Sequence, residues 1–273
     1  MPGGLLDFHF MQNAYLAGSL VAVLAGAAGY FVVLRGQTFA AHMLSQVGFP
    51  GAGAAVLLGI SPVLGLVAFC VAAAVAIGWL GREVETGNRA ESAVVGTILA
   101  FALGLGLFFF RLYPGSAQGM YAFLFGSVLG IADRDVSLTL GVAVAALAAL
   151  AWTGRPLVFA SVDPDVAEAR GVPVRELSLG FLVVLALAVA VTVQIVGTLL
   201  VFALLVAPGA AALQLTARPL LGLAVSIVLA IGVTWLGLAL AYFSDYPVGF
   251  FITSIAFVAY LATRGLRTVR AWA

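Results

Sequence analysis

Four stretches of this chain, Leu16–Leu34, Pro62–Leu80, Ser178–Val193 and Leu220–Phe243, consist almost wholly of Ala, Val, Leu, Gly and Phe. Each is close to the thickness of a bilayer's hydrocarbon core, roughly 20 residues at 1.5 Å rise. In hydrocarbon every backbone N–H and C=O needs a partner within the protein, so runs of this length read as spanning helices. Composition agrees: 64 % of the residues are apolar and 8 % are charged, against about a quarter charged in soluble domains. Not one of the 12 basic residues is a lysine. A P-loop needs a lysine to reach the phosphates, so the chain holds no ATP site of that kind. The net charge of +1 and the lack of any basic run offer nothing to nucleic acid. Cys70 has no second cysteine to pair with and sits in an apolar run, where a thiol reads as packing. Met1–Phe10 lacks the basic segment of a cleavable signal, and the first apolar run is too long for one.

Polar punctuation divides the chain into candidate spans at 11–34, 39–59, 62–81, 91–110, 136–153, 178–195, 197–207, 219–243 and 247–263. The second is expected to break at Gly48-Phe49-Pro50-Gly51, and the seventh is short and runs into Pro208. Tyr121–Ala132 is a further short apolar stretch that reads as re-entrant. The expectation is an all-α integral membrane protein. It is a polytopic bundle of eight or nine transmembrane helices in one domain over residues 1–273, with one or two broken elements. Non-helical backbone at membrane depth is tolerated only where protein or a water-lined path covers it, so the breaks point at a path. Arg264, Arg267 and Arg270, the Arg155–Glu176 stretch, Arg82 with Arg89, and Arg35 mark cytoplasmic ends by arginine bias. Counting back from the tail puts Asp245, Arg111 and the N-terminus outside.

Few residues could carry chemistry. His42 and Gln46 are four apart in the second span, so a helix stacks them on one face. An ionisable side chain in hydrocarbon is costly and marks a path or ligand site by default, and imidazole is a common ligand for first-row metals. The plainer role is a hydrogen bond to a neighbouring helix, and the residues leave both open. Met43 reads as packing and His9 as interfacial. Thr192 and Gln194 could line a polar path but read first as helix-to-helix hydrogen bonding, and Glu91 reads as favourable charge near a helix N-terminus. Asp245 is a solvated loop acid that would also gather cations at the mouth of a path. Gly126-Ser127-Val128-Leu129-Gly130 matches a helix-packing GxxxG. No catalytic set with credible spacing occurs, so an enzyme is not expected, and two histidines exclude a His-rich metal site within one chain.

Several segments, taken in order, resemble the membrane permease of bacterial ABC importers for transition metals, the zinc, manganese and iron uptake family. The resemblance covers nearly the whole chain. Phe10–Gly18 followed by Gly29–Arg35 is similar to the family's first helix. Phe39–Gly51 is similar to its second-segment motif, F-x-x-D-x-x-S-H-x-x-x-P-G. Asp163-Pro164-Asp165 with Ala169-Arg170-Gly171-Val172 resembles its cytoplasmic loop, and Val196–Ala212 its V-G-x-L-L-V-x-A-L-L-V-x-P-A-A-x-A signature. Tyr121–Ser127 and Asp245–Gly249 fit as well.

The resemblance implies a type II importer permease in the bacterial plasma membrane. Its implied partners are a second copy or paralogue, two cytoplasmic ATPase subunits that use the ATP, and an extracytoplasmic metal-binding lipoprotein. The chain itself would bind no cofactor. A divalent metal would be the cargo, meeting His42 and Gln46 with Asp245 at the mouth. Ala207, Pro208, Gly209, Ala210, Ala211, Ala212, Leu213, Gln214, Leu215, Thr216 and Ala217 would form the coupling helix. The chain departs from the pattern at one place: His42 takes the acid's position and Gln46 the histidine's. Two copies would therefore offer two imidazoles and two amides, a site without carboxylate. Nitrogen donors favour zinc over manganese in the Irving–Williams order. Other classes remain: a stand-alone secondary transporter or channel, disfavoured by the scarcity of intramembrane acids, and a type II permease for a metal chelate such as a siderophore.

Overall fold

The computed structural model describes residues 9–80, 88–112, 133–198, 200–244 and 246–272. Among them ten helices follow one another: α1 His9–Leu34, α2 Thr38–Leu57, α3 Pro62–Leu80, α4 Asn88–Leu112, α5 Asp133–Val162, α6 Pro164–Ala169, α7 Val174–Val196, α8 Val201–Leu215, α9 Pro219–Tyr242 and α10 Val248–Trp272. Six are long and apolar enough to cross a membrane: α1, α3, α9, and the parts Thr139–Val162 of α5, Val174–Gln194 of α7 and Val248–Arg267 of α10. Asp245, Tyr121–Ala132 and the GxxxG at Gly126–Gly130 lie outside the described residues.

The bundle is organised around α1, which packs against α5, α7, α8 and α9. A helix surrounded on so many sides must be apolar all round, and the run from Met11 to Val32 of α1 is largely buried. Small residues set how close its neighbours come, since packing and not hydrophobicity drives helix association in lipid. A Cβ on Gly29 would collide with the Leu205 backbone of α8, and one on Gly209 would lie 2.6 Å from the Gly29 carbonyl oxygen. On the α9 side, Ser226 Oγ donates to the Gly26 carbonyl at 2.7 Å, and Trp235 Nε1 donates to Ser19 Oγ at 2.8 Å. The other layer is α2 against α3 and α4. There Gly51 and Gly65 face each other so closely that a Cβ on either would overlap the other's backbone.

Four described turns carry glycine at positive φ, at Gly36, Gly59, Gly171 and Gly197, and two of them shape the bundle most. After α1, Gly36 adopts φ +67°. Its N–H bonds to Val33 O, and the Gln37 N–H to Val32 O, the paired bonds of a Schellman C-cap. Between α7 and α8, Gly197 adopts φ +91° and ψ 155°, a region open essentially to glycine.

Arg35, at the end of α1, donates to Ser161 Oγ of α5 at 3.2 Å and Ser178 Oγ of α7 at 2.5 Å, and its guanidinium lies 5.6 Å from the Phe181 ring. The ends of α1 and α5 and the start of α7 therefore meet at one end of the bundle. The short helix α6 projects from that end. Asp163 caps it by accepting the Val166 N–H at 3.0 Å, and of Val162 to Gly171 only Ala167 is buried. Replacing a capping Asp with Ala costs about 1 kcal/mol. Asp163→Ala is expected to raise amide exchange across residues 164–170 about fivefold, with exchange in α7 unchanged.

Three expectations are corrected here. α2 does not break at Gly48–Gly51 but runs through Pro50 to Leu57. α5 does not stop near residue 153 and continues through Arg155 and Pro156 to Val162. The seventh segment does not end at Pro208: α8 contains it and continues to Leu215. In each case proline removes one N–H donor, a local cost that the helix absorbs without breaking.

Candidate ion path beside a broken helix

His42 lies one turn into α2 and is half-buried. Its ring meets Phe202, in the first turn of α8, edge to face with centroids 5.0 Å apart and planes at 76°. His42 Nδ1 is shielded from solvent and has no hydrogen-bond partner among the described residues. An unpaired buried polar atom costs about 1–3 kcal/mol, so such a nitrogen calls for an explanation. Gln46 sits one turn further along the same helix and is also half-buried. Between them Ser45 turns back on its own helix, its Oγ donating to the His42 carbonyl at 2.6 Å. Pro50 adds a second consequence. It has no N–H for the carbonyl four residues back, so the Gln46 main-chain oxygen loses its ordinary helical partner. Gln46 thus brings an amide oxygen and a freed carbonyl to one place.

The break between α7 and α8 lies against this stretch of α2. A Cβ on Gly48 would stand 3.7 Å from Val193 Cγ1 of α7, while His42 touches Phe202 of α8. Gln194 and Thr198 flank the break. Thr198 is fully buried, and both Thr198 Oγ1 and Gln194 Oε1 are shielded atoms without a hydrogen-bond partner among the described residues. The shielded nitrogen on α2 and the shielded oxygens at the broken junction are donor atoms that could meet an ion in passing. No group of three or more His, Cys, Asp or Glu side chains that could hold a metal occurs among the described residues.

Other candidate residues fall elsewhere. Cys70 is buried with Sγ 3.5 Å from the Leu44 carbonyl, and Met43 is fully buried; both are packing. Thr192 Oγ1 donates to Ala188 O within its own helix. His9 is exposed at the start of α1. The stretch 207–217 is mostly the inner half of α8. Pro208, Gly209, Ala211 and Ala212 are buried, Ala207, Ala210, Leu213, Gln214, Leu215 and Thr216 are half-buried, and Ala217 is exposed. Phe202 and Thr198 were not singled out from sequence. The signal for Thr198 was present, a hydroxyl beside a glycine in an apolar run; for Phe202 nothing distinguished it from 18 other phenylalanines.

The family described as ABC 3 transport family matches residues 7–265. The manganese transport system membrane protein MntC of Halalkalibacterium halodurans is 32 % identical over 214 residues, 78 % of this chain and 72 % of that protein. The manganese import system permease protein ScaB of Streptococcus parasanguinis is 32 % identical over 209 residues, 77 % of this chain and 73 % of the relative. Among solved structures, a chain of PsaBC from Streptococcus pneumoniae in complex with Fab superposes with a TM-score of 0.85 at 28 % identity, covering 95 % of this chain and 92 % of that one. With a matched length that takes in every helix from α1 into α10, and apolar helices that make it a multi-pass membrane protein, the chain belongs to the ABC 3 transport family.

Proposed function

We propose that this chain is the membrane-spanning permease of an ATP-driven importer that carries a divalent transition metal ion, manganese or zinc, into the cytoplasm by alternating access. The observation that carries this reading is the unpaired, buried Nδ1 of His42 beside the α7–α8 break, in a chain whose relatives are named for manganese import. The metal is cargo. His42 Nδ1 and the oxygens of Gln46 would bind it transiently, with a second copy or paralogue contributing the same donors, and Asp245 would gather cations at the mouth. Neutral donors suit passage: a dication held by four carboxylates would leave slowly. We count α2, α4 and the short α8 with the six long apolar helices, giving nine crossings, so that Arg35, Arg155, Arg175 and Arg218 fall on one side.

The chain holds no lysine for a P-loop, so hydrolysis belongs to two ATPase subunits on the cytoplasmic side. An extracytoplasmic metal-binding lipoprotein would deliver the ion. Arginine bias assigns the cytoplasmic side to the end that carries Arg35, Arg155, Arg170, Arg175 and Arg218. On that side α6 is the exposed helix, and we place the ATPase contact on α6 together with the open end of the 207–217 stretch, Gln214 to Ala217. Val166 is an apolar side chain 43 % exposed on α6, as a docking contact would be. Val166→Arg is expected to weaken co-purification of the ATPase at least tenfold, the loss typical of a buried contact residue, while the chain elutes as wild type. Undiminished co-purification would move the contact off α6.

A further inference from the structure

A cleft of about 650 Å³ opens between α1, α5 and α9, and none of the residues of the ion path lines it. Its walls are hydrocarbon: Phe31 from α1, Leu147 and Leu150 from α5, and Leu223 and Ile227 from α9. Charge occurs at one end only, where Arg155 and Pro219 close it. Arg155 is exposed and makes no hydrogen bond or ion pair with any described residue. Next to Pro219 stands Arg218, the exposed N-cap residue of α9. One turn before Arg155, Trp152 is 87 % exposed, and exposed Trp marks the headgroup level of a membrane protein. The cleft is therefore apolar at the depth of acyl chains and cationic at the depth of phosphates.

We propose that this cleft binds an anionic phospholipid of the cytoplasmic leaflet, an acyl chain lying between α1, α5 and α9 and the phosphate against Arg155 and Arg218. Basic pockets between helices on the cytoplasmic side select anionic headgroups for this electrostatic reason. A second copy of the chain is a poorer occupant. Two copies meeting symmetrically at this face would bring four guanidiniums together, a like-charge cluster less favourable than two arginines on a phosphate. The bound lipid fills the side of α1 opposite its contact with α8, and so buttresses the helix on which the bundle is assembled. The proposal needs only the membrane placement of the chain, so a failure of metal transport would leave it standing.

The full-length chain in mild detergent, exchanged with phosphatidylglycerol or phosphatidylcholine, tests it by native mass spectrometry. Wild type is expected to retain phosphatidylglycerol about fivefold over phosphatidylcholine. Arg155→Gln combined with Arg218→Gln removes the preference. Gly154 lines the cleft, and a Cβ there would meet only Phe31 Cζ, at 4.0 Å, so Gly154→Phe fills the space without pressing on backbone. It is expected to lose both lipids. Equal retention of the two lipids by wild type overturns the proposal, as does a preference that survives loss of both arginines. A Gly154→Phe chain that changes from dimer to monomer also overturns it and gives the cleft to a second copy.

Discussion

Gly29→Val is expected to remove at least nine-tenths of the folded protein from the membrane fraction, read as the monodisperse peak in size-exclusion chromatography of a fluorescent fusion. A Cβ at Gly29 would fall on the Leu205 backbone, and Gly209 meets Gly29 from the next turn of α8. Overpacking costs about 1–3 kcal/mol when side chains can give way. Here the colliding atoms are main chain, held inside a helix, and can give way only by moving α8 off α1. Against a total stability of about 5–15 kcal/mol, separating the two central helices is expected to be decisive. Gly104→Val in α4 is the control, since a Cβ there meets nothing. A normal peak from Gly29→Val would mean that α1 and α8 do not cross at this residue.

The second large effect concerns transport. His42→Ala is expected to lower metal uptake at least about tenfold, because even the outer partners of a metal ligand are worth 10–100-fold in affinity. It should leave folding and ATPase co-purification at wild-type levels, as His42 is only half-buried and its ring contact is with Phe202. Met43→Leu, a fully buried neighbour on another face of α2, should leave uptake unchanged. If His42→Ala transported normally, the donors would lie elsewhere, and Gln194 with Thr198 would be the next pair to remove.

Replacing Pro208 and Gly209 together by alanine is not a clean probe of coupling. Gly209 meets the Gly29 backbone, so that double variant perturbs the α1–α8 crossing before it touches any ATPase. Val166 on α6 is the cleaner probe.

The unbroken apolar runs of α1, α3 and α9 were legible because hydropathy measures fit to hydrocarbon, and these helices are little more than that. Helix ends were legible where chemistry stops a helix, as at Gly36 and Pro62. Prolines misled the reading: Pro50 and Pro208 each looked like a stop, and each lies inside a helix, while the polar Arg155 looked like the end of a span that runs on through Pro156. A lost N–H is a local cost, and tertiary packing that no single sequence displays can outweigh it. His42 and Gln46 were visible as polar residues in an apolar segment. That Nδ1 has no partner among the described residues, and that Phe202 packs on the ring, depend on where α8 lies. The Gly29–Leu205–Gly209 contact was equally hidden, since 32 glycines in the sequence look alike until two helices cross.

The most direct test reconstitutes the chain in liposomes with and without its ATPase and follows entry of radioactive manganese or zinc, with the metal and its binding lipoprotein supplied on the side of the permease opposite Arg35 and α6. The account predicts entry only when the ATPase is bound and ATP is supplied, and none through the permease by itself. Steady metal entry through the purified chain with no ATPase present would contradict it.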